Sequence, residues 1–229
     1  MWQQILEEAP RFFSYYNLLF FAKALVTTFA LSAIGCVVGF TLGFVLAAIR
    51  LTTNPMLAPV RIAVQCVTEL FRRIPFLVTL MLVFFIFQGL NADLSMFTVA
   101  LISVCLIATA FIAEIVRSGL ESVHQNQWDA AATLNFGYWQ MLRLVIIPQA
   151  WKIILPPVFG FFVLFIKDTA LASQIGVIEL AFAGKTMSNK GFSATLVYGT
   201  VLVLYFLLSY PLSRFGKYLE TRLAPTRNR

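Results

Sequence analysis

Charged side chains are scarce in this chain: they make up 12% of its 229 residues, against 60% hydrophobic. A mean hydropathy of +0.84 excludes an ordinary soluble globule, which wets far more polar surface than this composition supplies. His124 is the only histidine, so neither a histidine-based metal site nor a Ser-His-Asp triad is expected elsewhere in the chain. The three cysteines, Cys36, Cys66 and Cys105, lack metal-ligand spacing and read as small apolar packing residues. Ala183-Gly184-Lys185-Thr186 has the tail of a phosphate-binding loop. The first glycine of that pattern would fall at position 179, which is Glu, so the chain is expected to hold no nucleotide site. No signal peptide is expected, because the N-terminus carries Glu7 and Glu8 and lacks a basic region with a small-residue cleavage site.

What the chain does have is long uncharged stretches: Ala24–Ile49, Ile74–Ala92, Leu94–Ala113 and Gly191–Ser213. Each meets or approaches the roughly 20 residues that cross a bilayer. Leu144–Ile166 adds another, interrupted only by Lys152, whose ammonium can snorkel to the interface from a helix end. The fold class expected is all-α integral membrane, with about five spans starting near Phe20, Leu57, Phe97, Leu144 and Thr195. Residues 1–19 read as an interfacial amphipathic segment, 20–217 as one transmembrane domain, and 218–229 as a basic tail.

The formal net charge of +7 follows topology and does not point to nucleic acid. Basic residues gather after the fifth span (Arg214, Lys217, Arg222, Arg227, Arg229), around the central loop (Arg117, Arg143, Lys152) and near the first turn (Arg50, Arg61). The positive-inside rule places these segments in the cytoplasm, and five crossings then put the N-terminus outside. Lys185 and Lys190 oppose this weakly.

Ionisable residues within the spans are the first functional signal. Arg72 falls about 22 Å into the second span, where a charge must be paired or face a wet cavity. Glu69 stands three residues earlier on the same helix face and can pair with it. That pair is either a structural brace or part of a translocation path. Pro75 makes this span either one kinked helix or two. Glu114 and Arg117 repeat the spacing at the end of the third span. In the first span Gly35, Gly39 and Gly43 form a small-residue ridge, a packing seam without chemistry.

The second signal is a polar loop, about 118–143, between two apolar spans. It runs from Ala113-Glu114-Ile115-Val116-Arg117-Ser118-Gly119-Leu120 through Asn126-Gln127-Trp128-Asp129-Ala130-Ala131 and Leu134-Asn135-Phe136 to Ile147-Pro148-Gln149-Ala150. This ordered run resembles the "EAA" loop of ABC-importer permeases. Glu69-Leu70-Phe71-Arg72-Arg73-Ile74-Pro75 and Lys167-Asp168-Thr169-Ala170-Leu171 resemble two further elements of the polar amino-acid permeases, in family order. Arg73-Ile74 replaces the family's Gly-Thr, and Ala170 replaces its Ser. Asn126 and Asn135 stand where the family carries Gly; Asn is the other residue that best tolerates positive φ. Asp129 keeps the charge of the family's Glu and is expected in the first turn of a short helix, where a carboxylate is favoured. Ala130, Ala131 and Ala132 are strong helix formers without bulk, and Leu134, Phe136, Trp139 and Met141 would supply an apolar face.

The resemblance implies a type I importer permease of the bacterial inner membrane with a cytoplasmic coupling helix. Its ATPase-coupling positions would be Glu121, Gln127, Asp129, Ala130, Ala131, Leu134, Asn135, Phe136 and Gly137. Substrate contacts would come from Glu69, Arg72, Lys167, Asp168 and Thr169, although Lys167 and Asp168 can also be read as capping a helix end. The partners implied are two ABC ATPase subunits holding ATP and Mg, a second permease subunit, identical or paralogous, and an external substrate-binding protein. The cargo would be a polar or charged amino acid, and the chain itself would catalyse no reaction. A secondary carrier or channel working alone is the competing class; it would want inverted repeats or a relay of ionisable groups, and five spans with one docking loop fit that poorly.

Overall fold

The computed structural model describes residues 2–223, with side chains from Ile5 onward. Residues 224–229, with Arg227 and Arg229 of the basic tail, lie outside the described residues. Among the described residues the chain is helical and forms no strand. In order it forms α1 (Trp2–Phe12), α2 (Tyr15–Leu51), α3 (Ala58–Arg73), α4 (Phe76–Gly89), α5 (Met96–Glu121), α6 (Gln125–Thr133), α7 (Tyr138–Met141), α8 (Ile147–Asp168), α9 (Leu180–Asn189) and α10 (Ala194–Leu223). A π-helical turn, Leu142–Ile146, joins α7 to α8, and a 3₁₀ stretch, Thr169–Ile175, follows α8.

Four helical stretches are long and apolar enough to cross a bilayer: Tyr15–Leu51, Met96–Glu121, Tyr138–Ile175 and Ala194–Leu223. Pro55–Arg73 and Phe76–Gly89 pass the same test only as a pair, which gives four to five candidate spans. The second span is therefore two helices. Ile74 is extended (φ −87°, ψ 134°), because the ring of Pro75 crowds the helical conformation of the residue before it.

The helix that carries the first span begins at Tyr15, so residues 15–19, read from the sequence as part of the amphipathic segment, are continuous with α2. The reason is that Tyr15, Tyr16 and Asn17 carry no charge and do not break a helix. At 37 residues α2 is about 55 Å long, more than the roughly 30 Å hydrocarbon layer. Its exposed Tyr15 and Tyr16 suit the headgroup level, where amphipathic rings gather.

The chain divides into two compact units. One comprises Met1–Gly35, Phe76–Val104 and Val163–Leu212. Its core joins Phe12 of α1, Phe21 and Ala24 of α2, Leu180, Ala183 and Met187 of α9, and Val197 of α10. Glu179 is wholly buried here and caps α9, accepting from the backbone N–H groups of Ala181 (2.9 Å) and Phe182 (2.7 Å) and from the Tyr205 hydroxyl (2.8 Å). Burial pushes its pKa upward, against the opposing pull of those three bonds. The Thr28 hydroxyl takes the next orphan donor, Leu180 N–H, at 3.1 Å. Ser193 N–H donates to the Glu8 carboxylate at 2.7 Å, tying α1 to the start of α10.

The other unit comprises Cys36–Pro75, Cys105–Phe162 and Ser213–Arg229. The glycine ridge of α2 works here as the sequence implied. A Cβ on Gly39 would lie 2.7 Å from Ala108 Cβ, and one on Gly43 would lie 2.8 Å from the Ala113 nitrogen. The two backbones touch only because these positions carry no side chain. Gly119 admits Ile154 of α8 in the same manner.

Candidate functional site

The polar loop folds as two short helices joined by a left-handed residue. His124 caps α6, its Nδ1 accepting from Asn126 N–H at 3.2 Å. At the other end Asn135 adopts φ 59°, and its N–H donates to Ala132 O at 2.9 Å. Phe136 N–H reaches Ala131 O, so two carbonyls of the last turn are satisfied. Gly137 then caps α7, its N–H donating to Gln140 Oε1 at 3.0 Å. The Tyr138 hydroxyl donates to Ala48 O and anchors α7 on α2.

Several expectations shift. Asp129 is not in the first turn of α6, which starts at Gln125; it lies mid-helix and accepts from Gln125 Nε2 at 3.0 Å. Asn126 has ordinary helical backbone, so its resemblance to a turn glycine has no structural counterpart. Ala131 is buried against the chain's own core and cannot meet a partner. Gln127, Asp129, Ala130, Asn135 and Gly137 are exposed, and Phe136 is half-buried. Leu134 and Trp139 are 67% and 63% exposed, large apolar groups standing on an otherwise polar segment.

A charge cluster in the same unit centres on Glu114. Arg50 of α2 donates to its Oε2 at 2.9 Å, and Arg117 grips both its oxygens, Nε at 3.1 Å from Oε2. Arg72 Nη1 of α3 is 3.7 Å from Oε2 and pairs with Glu69 at 3.0 Å. Glu121, expected on the coupling surface, pairs with Arg117 at 2.5 Å. Arg73 closes on Glu69 at 3.0 Å but is largely exposed. The two i, i+3 pairs of the sequence thus belong to one cluster joining three helices. Arg50 was missed as a member, since its partner is 64 residues away. Arg72 Nε is buried without a hydrogen-bond partner among the described residues.

A family model described as "Binding-protein-dependent transport system inner membrane component" matches residues 39–225. The chain belongs to this family. Among its relatives, "Probable amino-acid ABC transporter permease protein YckA" of Bacillus subtilis is 31% identical over 202 residues, covering 88% of each chain. "L-cystine transport system permease protein TcyB" of the same organism is 32% identical over 189 residues, covering 82% of this chain and 81% of its own. A solved structure, "Crystal structure of an amino acid ABC transporter with histidines", superposes with a TM-score of 0.81 at 25% identity, covering 90% of this chain and 94% of that one.

This inner-membrane component carries its other candidate residues at the end of α8, in the unit that does not contain Glu69 and Arg72. Lys167 and Asp168 are exposed, and Asp168 makes no capping bond to the following 3₁₀ stretch. Thr169 is buried and its hydroxyl donates to Ile166 O at 2.7 Å, which leaves it poorly placed to meet a solute. No cluster of His, Cys, Asp and Glu among the described residues could hold a metal.

Proposed function

We propose that this chain is the membrane-spanning subunit of an ATP-driven importer of a polar amino acid, moved by a separate ATPase that docks on α6 and α7. The observation that carries the proposal is the pair Leu134 and Trp139: two exposed apolar side chains held by a capped helix and a left-handed turn, in a binding-protein-dependent transport family. Exposed large apolar groups on a rigid polar element suit a protein groove, with Gln127, Asp129 and Ala130 on the same element. The names of the relatives, which concern amino acids and cystine, support the substrate class.

On this reading the chain works as a lever, and ATP with Mg belongs to two partner ATPases. A second permease, identical or paralogous, completes the path, and an external binding protein delivers the solute. Closure of the ATPases draws the docking helices together and tilts the spans; hydrolysis resets them. The basic residues Arg214, Lys217 and Arg222 support a cytoplasmic C-terminus and, with five crossings, an N-terminus outside. Lys167 and Asp168 are the substrate candidates that remain exposed, with charges suited to a zwitterion's carboxylate and ammonium. Arg72 is engaged with both Glu69 and Glu114, which favours a brace.

The test is to co-express the chain with a partner ABC ATPase, reconstitute the complex, and add binding protein and labelled amino acids. Wild type should import in proportion to ATP consumed, and Asp129→Lys should insert normally but lose that link. Transport-linked ATP turnover at wild-type level in Asp129→Lys would contradict the assignment of α6.

A further inference from the structure

The connection between the docking helix and the span contains a wide turn. Ile147 N–H bonds Leu142 O, five residues back, so Leu142–Ile146 is π-helical. The cause lies in the next residue: Pro148 offers no N–H, and its ring crowds the carbonyl four residues back, that of Leu144. A widened turn relieves that crowding, and such turns recur at functional positions. It also leaves a soft joint where α7 becomes α8.

One side chain crosses this joint. Gln149 Nε2 donates to Val145 O at 2.9 Å, inside the wide turn, and to Gln127 Oε1 on α6 at 3.1 Å. α6 also packs against the turn, where Ala131, Leu142 and Ile146 are all buried apolar side chains. Apolar packing is non-directional and permits sliding, whereas a hydrogen bond fixes register. Gln127 is two residues from Asp129 and three from Ala130, on the helix assigned to docking.

We propose that Gln149 is a positioning residue: its amide holds α6 in register with the first turn of α8, so that displacement of the docking helix moves the span instead of being absorbed by the π-helical turn. The inference rests on the assignment of α6 to ATPase docking. It adds a residue outside the loop surface, acting through Gln127 and Val145.

The experiment measures ATP hydrolysed per amino acid imported by the reconstituted complex, together with membrane abundance and thermal midpoint. Gln149→Leu keeps the bulk and removes both donors; Gln149→Glu keeps the shape and offers only acceptors. Both should raise the ATP cost per solute by about three- to tenfold, the range set by losing one or two exposed hydrogen bonds, with abundance and midpoint unchanged. Gln149→Lys restores a donor of similar reach and should return the ratio to within about twofold of wild type. A wild-type ratio in both Gln149→Leu and Gln149→Glu overturns the inference. So does a fall in abundance or midpoint in those variants that accounts for the loss, which assigns the bond to folding alone. If wild type itself imports without ATP, the docking assignment fails, an outcome separate from the other two.

Discussion

Arg50 and Glu114 meet at 2.9 Å across 64 residues of sequence, joining α2 to α5 at the point where Arg72 of α3 also approaches. Three guanidinium groups thus converge on one carboxylate whose side chain is 19% exposed. The arrangement holds the ends of three helices together: Arg50 takes its counter-charge from Glu114, while Arg72 and Arg117 share Glu114 with Glu69 and Glu121.

Glu114→Ala should therefore destabilise the protein more than any single arginine change. Leaving partly buried cations unpaired costs about 2–4 kcal/mol here, discounted for solvent reaching the cluster. Arg73→Ala, at a largely exposed position, should cost about 0.5 kcal/mol or less. Thermal unfolding of the purified variants in detergent checks the order, and equal midpoints for the two would refute it.

The glycine seam predicts a steric contrast. Gly43→Leu drives a side chain into the Ala113 backbone and should lower stability by about 1–3 kcal/mol or block insertion. Gly160→Ala, on α8 with nothing within 4 Å of the added carbon, should be neutral or slightly stabilising. Membrane abundance and unfolding temperature of the pair decide it.

Asn135 at φ 59° separates two readings of the turn. Asn135→Gly should preserve both stability and ATP-linked transport, while Asn135→Val should cost about 1–2 kcal/mol locally. Hydrogen exchange across residues 125–141 should quicken in the valine variant alone. Equal protection in both variants would mean the turn adapts without its left-handed residue.

Glu179 supplies a pH test. Its carboxyl is raised above the ordinary range by burial, so the folded state holds the proton more tightly than the unfolded chain. Stability from this group is complete below the unfolded pKa and is lost as pH rises through the folded value. The midpoint of wild type should fall over that window, and Glu179→Gln should flatten the fall. A midpoint that rises with pH in wild type, and does so less in the variant, would reverse the sign.

The apolar helices and the turn at Asn135 were legible because they are local. Uncharged runs reveal crossings, and Asn135 after a run of alanines reveals a helix end with positive φ. Pro75 marked the break in the second span, but only geometry shows that Ile74 turns extended and divides it. Ala130 and Ala131 look alike in sequence; which one faces the core depends on how α6 lies on the turn Leu142–Ile146. Arg50 read as a topological charge because its partner comes from another helix. The role of Gln149 was invisible for the same reason, since Gln127 is 22 residues away.

The buried Ala131 also decides which substitution tests docking. Ala131→Trp should disrupt the fold itself, whereas Ala130→Trp adds bulk to an exposed position and should leave stability intact. Membrane abundance distinguishes the two before any transport is measured.

The most direct measurement is solute accumulation in vesicles holding the purified complex, compared with vesicles holding this chain alone. The account predicts uphill uptake only when ATPase, ATP and binding protein are all present, and its loss in Ala130→Trp with assembly preserved. Uphill uptake by the chain alone, without ATP, would contradict it.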